Sequence, residues 1–282
     1  MTRLAPGAAA LPAPRLPGVI RASWSRMAAE LLQFRRSREE LFFTLALPVG
    51  MLLLFGTIFR NDEIGVAGAE VSFAQYFAAG MIGSSIWWTC FHNAAVYVPL
   101  ERDSGALRRL AGTPMPRAAY FAGKAAAALL ITIVETAILI TLGVVLYHLR
   151  MPDAGRWLTF SWVLLLGSAA CLLFGFAVAG LIPAGRSASA VVSPFAIVFQ
   201  FLSGVYFVYG DMPGWLQGIG GVFPLRWLTL GMRSVFLPEH FREVEPQHSW
   251  HQWLTLIVLA SWCAGGAAIS YVTFRWTPTR EH

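Results

Sequence analysis

Long apolar runs separated by short polar segments dominate this chain. A membrane-spanning helix needs about 20 consecutive apolar residues. Six runs reach that length, and they contain no charged side chain apart from Glu135. We therefore predict an all-α membrane protein with six transmembrane helices. The runs are residues 41–59, 71–100, 125–149, 157–185, 187–210 and 246–274.

The segment before the first run divides into two parts. Residues 1–18 contain four prolines and several alanines, which is typical of a disordered tail. Residues 19–38 carry apolar side chains at helical spacing, which predicts an amphipathic helix in the plane of the membrane interface. The transmembrane domain would then cover 39–274, with a cytoplasmic tail at 275–282. The apolar face consists of Ile20, Trp24, Met27, Leu31 and Phe34.

The polar segment 211–249 contains an apolar stretch, residues 212–237, that Pro224 divides into two pieces. Each piece is too short to span a bilayer. We expect a re-entrant outer helical hairpin between spans five and six, covered by protein where its backbone is irregular. Arg226 and Arg233 would keep their charged ends in water near the interface.

Composition supports a polytopic membrane protein. The chain is 56% hydrophobic and 13% charged, against about 25% charged in soluble domains. Its net charge of +6 is spread over the ends of the apolar runs, which argues against nucleic-acid binding. The three cysteines lie singly in apolar runs, so no metal site is predicted. Lys124, the one lysine, is followed by Ala125, so a phosphate-binding G-x-x-x-x-G-K-[ST] loop is excluded.

Arginine distribution indicates the orientation. With a cytoplasmic N-terminus, 15 of the 21 basic residues fall on the inner side and six on the outer side. Cytoplasmic loops are enriched in Arg and Lys. Both ends of the chain are therefore expected in the cytoplasm of a multi-pass cell-membrane protein, and 211–249 outside.

The inner segment 101–117 predicts a short charged helix lying crosswise below the membrane. Ser104 is a potential N-cap, Leu107 and Leu110 share a face, and Gly112 ends the turn. Such a helix can transmit force from a soluble partner. An ordinary positive-inside loop is the alternative interpretation.

The run E-R-D-S-G-A-L-R-R-L-A-G-T-P at 101–114 resembles the signature of type-2 ABC exporter permeases, roughly E-R-E-x-G-T-L-x-x-L-x-x-T-P. A second block, residues 203–207, 212–216 and 223–227, resembles the same family. Asp103 and Ala106 depart from the usual Glu and Thr, and Arg226 stands where small or polar residues are common. The resemblance covers about residues 19–274.

The resemblance implies a dimer of six-span permeases, as a homodimer or with a related paralogue, each bound beneath by a cytoplasmic ABC ATPase. ATP and magnesium would bind to the ATPase. This chain would bind no cofactor and would not be an enzyme itself. The amphipathic segment would be the connecting helix. The residues implied in coupling to the ATPase are Glu101, Arg102, Asp103, Ser104, Gly105, Leu107, Arg108, Arg109 and Leu110.

Further candidate residues lie in and above the membrane. Glu135 falls near the bilayer centre, where a carboxylate must face protein or water. It is a candidate for the substrate path or for a hydrogen-bonded structural role. Trp87 and Trp88 are candidates for lining an aromatic cavity. Candidates for the outer gate are Trp215, Pro224, Arg226 and Trp227.

The predicted function is export of a drug-like, antibiotic or lipid-like amphiphile, and export of a polysaccharide is the alternative within the same family. An ion-coupled secondary transporter would show paired broken helices in two repeated halves, and only one broken segment is found here. An intramembrane serine protease lacks support, because Gly83-Ser84-Ser85 has no nucleophile context.

Overall fold

The computed structural model describes residues 18–64, 71–246 and 248–274, and the described chain is mostly helical. The predicted tails 1–17 and 275–282 lie outside these ranges. The helices are α1 (Val19–Arg36), α2 (Arg38–Ile58), α3 (Phe73–Ile86), α4 (Asn93–Asp103), α5 (Ala106–Ala111), α6 (Arg117–Tyr147), α7 (Ala154–Leu181), α8 (Gly185–Leu202), α9 (Gly214–Val222), α10 (Pro224–Phe236) and α11 (Gln252–Thr273). Two-residue strands, β1 (Glu63–Ile64) and β2 (Val71–Ser72), pair antiparallel before α3.

Five helices of the described chain, α2, α6, α7, α8 and α11, are long and apolar enough to cross a membrane by length and composition. The predicted span 71–100 is not one regular helix. It is a helical run in which a π-helical segment, Trp87–His92, connects α3 to α4. π-Helical segments often occur at functional sites. The sequence analysis did not predict this one.

The α3–α4 run lies at the centre of the fold. Nearly every residue of α3 is buried, and its neighbours include α2, α6 and α10. Gly83 permits the contact with α10, since a Cβ there would lie 3.1 Å from the Cα of Thr229. The short α10 therefore packs directly on the central helix.

The part of the chain that follows α7 differs from the predictions in one feature and agrees with them in another. The fifth apolar run, 187–210, is helical only to Leu202, because Gly204 adopts a left-handed conformation at φ 72° that ends the helix. Pro224 begins α10 and separates it from α9 as predicted. Of α10, only Trp227 is partly exposed.

Candidate functional site

The segment 101–112 forms a tight turn between two helices. The run containing α4 ends at Asp103, and Gly105 adopts a left-handed conformation at φ 72° before α5 begins. The prediction that Ser104 caps the following helix is wrong. Its hydroxyl donates instead to the Glu101 carbonyl at 3.1 Å, because Ser104 closes the helix before it.

Glu101 is the centre of a largely buried ion-pair cluster that joins α4 to α1 and α6. Arg26 Nη2 donates to both Glu101 oxygens at 3.1 Å, and Lys124 Nζ donates to Glu101 Oε1 at 2.8 Å. The Tyr120 hydroxyl donates to Glu101 Oε2 at 2.7 Å. Glu30 completes the cluster through contacts with Arg26 and Lys124. The formal charges of the four ionised groups cancel.

The cluster keeps Glu101 ionised. Burial alone would raise the pKa of this carboxyl. Attraction to Lys124 and Arg26, with hydrogen bonds from Lys124 and Tyr120, outweighs burial and holds the pKa of Glu101 below its ordinary value of 4.5. The Glu101 side chain is only 13% exposed, so its contacts are with other residues of the protein and not with solvent.

Arg102 and Asp103 attach the same helix end to the α7–α8 connection. Arg102 is buried and donates to the carbonyl oxygens of Ile182 and Pro183. Asp103 accepts a hydrogen bond from the backbone N–H of Gly185 at 2.5 Å. The acidic and basic residues that open the signature thus tie together α1, α4, α6 and the start of α8.

The remaining residues of the segment divide by exposure. Leu107 is fully buried and Leu110 is half-buried, so α5 is fixed by its apolar face. Ser104, Arg108 and Arg109 are exposed. Glu101, Arg102 and Leu107 therefore hold the segment to the rest of the protein. The exposed residues Ser104, Arg108 and Arg109 form its surface.

The π-helical segment gives its two tryptophans different environments. Trp87 is fully buried, stacks on Phe91 with ring centroids 4.0 Å apart, and donates to the Ala196 carbonyl at 3.3 Å. Trp88 is half-buried and stacks on His92 at 4.1 Å. Of the two candidates for a cavity, only Trp88 lines a groove.

Glu135 lies inside the protein, 1% exposed. Its Oε2 accepts from the Thr89 hydroxyl at 2.6 Å, while its Oε1 has no partner in the described chain. The side chain lines none of the larger grooves of the structure. This placement favours the hydrogen-bonded structural role over contact with substrate.

The prediction that Arg226 and Arg233 keep their charged ends in water is wrong, because both find a buried partner in Glu245. Arg226 Nη2 donates to Glu245 Oε2 at 2.6 Å, and Arg233 Nη1 lies 3.9 Å from Glu245 Oε1. Each guanidinium also lies over a tyrosine ring, Tyr209 for Arg226 and Tyr76 for Arg233. The arginines attract the carboxylate more strongly than burial penalises it, so the pKa of Glu245 is lowered.

The other outer-gate candidates lie around the α9–α10 junction. Trp215 is 68% exposed on α9. Pro224 is buried at the first position of α10, after Phe223 in extended conformation. Trp227 Nε1 donates to the Gly221 carbonyl at 2.7 Å and so holds the bend closed. These residues share one corner of the fold, away from the turn at 101–112.

Sequence reasoning missed the cluster partners Arg26, Glu30, Tyr120 and Lys124. Two signals were available: the i,i+4 pair Arg26 and Glu30, and a single lysine at the start of an apolar run. It also missed Glu39 and Glu40, which line the groove beside Trp88. Within the described ranges, the His, Cys, Asp and Glu residues form no group of three that could hold a metal ion.

Comparison with known proteins gives a consistent result. Residues 22–237 match the family model described as ABC-2 type transporter. Over 179 residues the chain is 27% identical to "Probable multidrug ABC transporter permease YbhR" of Escherichia coli, a match covering 63% of this chain and 46% of that protein. Over 206 residues it is 21% identical to "Putative transport permease ycf38" of Porphyra purpurea, covering 73% and 70%. The chain thus spans less than half the length of the first relative.

Proposed function

Because the chain belongs to the ABC-2 type transporter family, whose membrane permease domain lacks a nucleotide-binding site, we propose that it is the transport subunit of an ATP-driven exporter. Its substrate is a drug-like, antibiotic or lipid-like amphiphile, moved out of the cell. The multidrug name of the E. coli relative supports this substrate class. Family membership excludes the ion-coupled transporter and the intramembrane protease.

The α4–α5 turn is the observation that carries this proposal. It presents Arg108 and Arg109 on an exposed face, while Glu101, Arg102 and Asp103 tie its base to α1, α6 and the α7–α8 connection. A push on the exposed face is therefore passed to several helices at once. We assign this face, from Ser104 to Leu110, as the docking surface for a separate ATPase subunit, which binds ATP and magnesium.

The rest of the assembly follows from the same proposal. The α3–α4 run adds a sixth membrane-spanning segment to the five long helices. The N- and C-termini lie in the cytoplasm, as the excess of arginine in the predicted inner segments favours. The exposed apolar side chains Ile20 and Trp24 of α1 face lipid as a connecting helix. The helices α9 and α10 form the re-entrant outer gate. A second permease chain completes the translocation path.

Charge reversal on the docking surface tests the proposal. The permease is co-expressed and co-purified with candidate ABC ATPases of its host, and ATP hydrolysis is measured in lipid nanodiscs with and without an amphiphile panel. We expect Arg108→Glu/Arg109→Glu to lose co-purification with the ATPase and to lose stimulated hydrolysis, while the permease still inserts and remains monodisperse. Repulsion by the new carboxylates is the physical cause.

The matched control is Arg60→Glu/Arg150→Glu, an equal charge change at two exposed arginines on the predicted outer side. It should leave co-purification and hydrolysis unchanged. Full ATPase binding and coupling by the double variant would contradict the assigned docking surface. Failure of the wild-type chain to associate with any ABC ATPase would contradict the exporter function itself.

A further inference from the structure

The groove between α2, the π-helical segment with α4, and α8 has chemistry suited to one class of substrate. We propose that it binds a cationic aromatic amphiphile before export. This inference rests on the proposed function, because it names the substrate class and the place where that substrate first binds.

The groove has three walls. The back is formed by Trp88, His92 and Tyr97, and one side is formed by the start of α2, with Glu39, Glu40 and Phe43. Serines of α8 form the other side. The cavity measures about 380 Å³, which lies in the range of small-molecule sites of about 300–1,000 Å³.

An aromatic surface lies at the back of the groove. The Trp88 and His92 rings stack nearly parallel, with 4.1 Å between centroids and 9° between planes. A hydrogen bond of 2.9 Å between His92 Nε2 and Ser193 Oγ holds this pair against α8. Trp88 and His92 are four residues apart in the π-helical segment, and side chains at this spacing lie on one face of a helix. A flat aromatic group can stack here, and tryptophan is the best partner for a cation over its face.

Negative charge lines the same groove. Glu39 and Glu40 line it, and no Arg or Lys does so. Neither carboxylate has an ion-pair partner among the described residues. Both lie in the first turn of α2, where the helix dipole favours them. Glu39 and Glu40 are thus the charged side chains that line the groove, and they attract a cationic ligand placed in it.

The neighbouring ion-pair cluster is neutral by formal charge. Its two cationic side chains, Lys124 and Arg26, form ion pairs with its two carboxylates, Glu101 and Glu30. A small cavity of about 50 Å³, which Lys124 lines, lies between that cluster and the groove, and Glu40 lines both. The uncompensated carboxylates are therefore those facing the groove.

The spacing of the two features matches an amphiphile. Tyr97 is nine residues from Trp88 along the helical run, which corresponds to about 13 Å at 1.5 Å per residue. Glu40 lies beside Tyr97, since both line the same two cavities. A ligand that carries its rings and its charge close together can therefore contact Trp88 and lie near the carboxylates of α2 in the same groove.

Binding to the permease chain alone tests this inference without the ATPase. The full chain is reconstituted in lipid nanodiscs, and equilibrium binding of radiolabelled tetraphenylphosphonium is measured against empty nanodiscs. We expect saturable binding of this cation, competition by other aromatic amines, and no competition by tetraphenylborate, an anion of the same shape. Neutral triphenylphosphine oxide should compete at least tenfold less well than the cation.

Variants locate the binding to the groove. Glu39→Gln/Glu40→Gln should weaken binding at least tenfold through loss of both charges, and Trp88→Leu several-fold through loss of the aromatic face. The matched controls are Glu243→Gln, an exposed carboxylate on another surface, and Trp253→Leu, a 72% exposed tryptophan. Neither control should change binding by more than about twofold.

Absence of saturable binding by the wild-type chain overturns the inference, and so does binding that is unchanged in the Glu39→Gln/Glu40→Gln variant. Glu39→Gln alone, at an exposed position, keeps the test valid if the double variant does not fold. The proposed function has its own readout. A chain that binds no cation yet still couples to its ATPase leaves the exporter function standing.

Discussion

At the scale of single residues, one buried carboxylate partly balances the charge of two buried arginines on α10. Glu245 is 4% exposed and faces two buried arginines, of which Arg233 is completely buried. Arg233 Nη2 also donates to the Gly204 carbonyl, so the charge stabilises the chain reversal after α8. Removing one member of a buried ionic group costs far more than the group contributes as a whole, because the other charges remain buried.

We therefore expect Glu245→Gln to destabilise the protein by about 3–5 kcal/mol. The free energy of unfolding is measured by denaturant titration of the protein in mixed micelles, followed by tryptophan fluorescence. Glu243→Gln changes the same chemical group two residues earlier at an exposed position, and it should stay within about 0.5 kcal/mol of wild type. Equal stability of the two variants would show that the buried arginines need no counter-ion.

The lowered pKa of Glu101 predicts how the attachment of α1 depends on pH. A carboxyl whose pKa is lower in the folded state stabilises fully above its ordinary pKa, and this contribution is lost as the pH falls through the folded value. The ordinary value is 4.5. We expect hydrogen exchange in α1, corrected for intrinsic rates, to show constant protection down to about pH 4.5 and weaker protection below it.

Glu101→Gln serves as the control, because its neutral amide removes the charge at every pH. That variant should show weaker protection of α1 already at neutral pH, with a flatter pH profile. Protection in the wild type that persists well below pH 4 in native protein would mean that apolar packing of α1 on α6, and not the ion-pair cluster, fixes this helix.

At the scale of elements, the junction of α9 and α10 is a bend set by one proline. Pro224 occupies the first position of α10, where its fixed φ suits a helix start. It also restricts Phe223 to the extended backbone seen there. The hydrogen bond of Trp227 to the Gly221 carbonyl then holds the bend. Pro224 therefore acts mainly by restricting the backbone and less by its side-chain contacts.

Pro224→Ala should consequently lower stability by no more than about 1 kcal/mol and alter basal ATP hydrolysis or export in the assembled complex. The reason is that a straighter junction changes the proposed outer gate. Both quantities are measured on the same reconstituted sample. Unaltered transport at normal stability would leave these two helices a purely structural role.

The sequence predicted the helices well, because apolar runs and prolines act locally. It did not predict the ion pairs, because these join residues that are far apart in the chain. Apolar runs and Pro224 are local, and the corresponding helices appear with shifts at their ends. Arg226 meets Glu245, 19 positions away, and Arg26 meets Glu101, 75 positions away, through folding alone. A pattern of residue types therefore identified the segment 101–110 as important, but it could not separate its buried half from its exposed half.

At the scale of the whole molecule, the arginine distribution predicts which parts face the cytoplasm. Single cysteines replacing Ser104 and Glu243, both exposed, are introduced into a chain in which Cys90, Cys171 and Cys263 are alanine. With intact cells and a membrane-impermeant maleimide, we expect Glu243→Cys to be labelled and Ser104→Cys to react only after lysis. Labelling of both from outside would contradict the proposed orientation.

The unequal exposure of the charges around the α4–α5 turn has a consequence for ionic strength. Mobile ions screen exposed charges over about 8 Å at physiological salt and act much less on buried pairs. Arg108 and Arg109 are exposed, whereas Glu101, Arg26 and Lys124 are largely enclosed. Concentrated salt should thus release the ATPase from the permease and leave α1 firmly attached. If the proposed complex forms, salt should separate its two subunits while each of them remains folded.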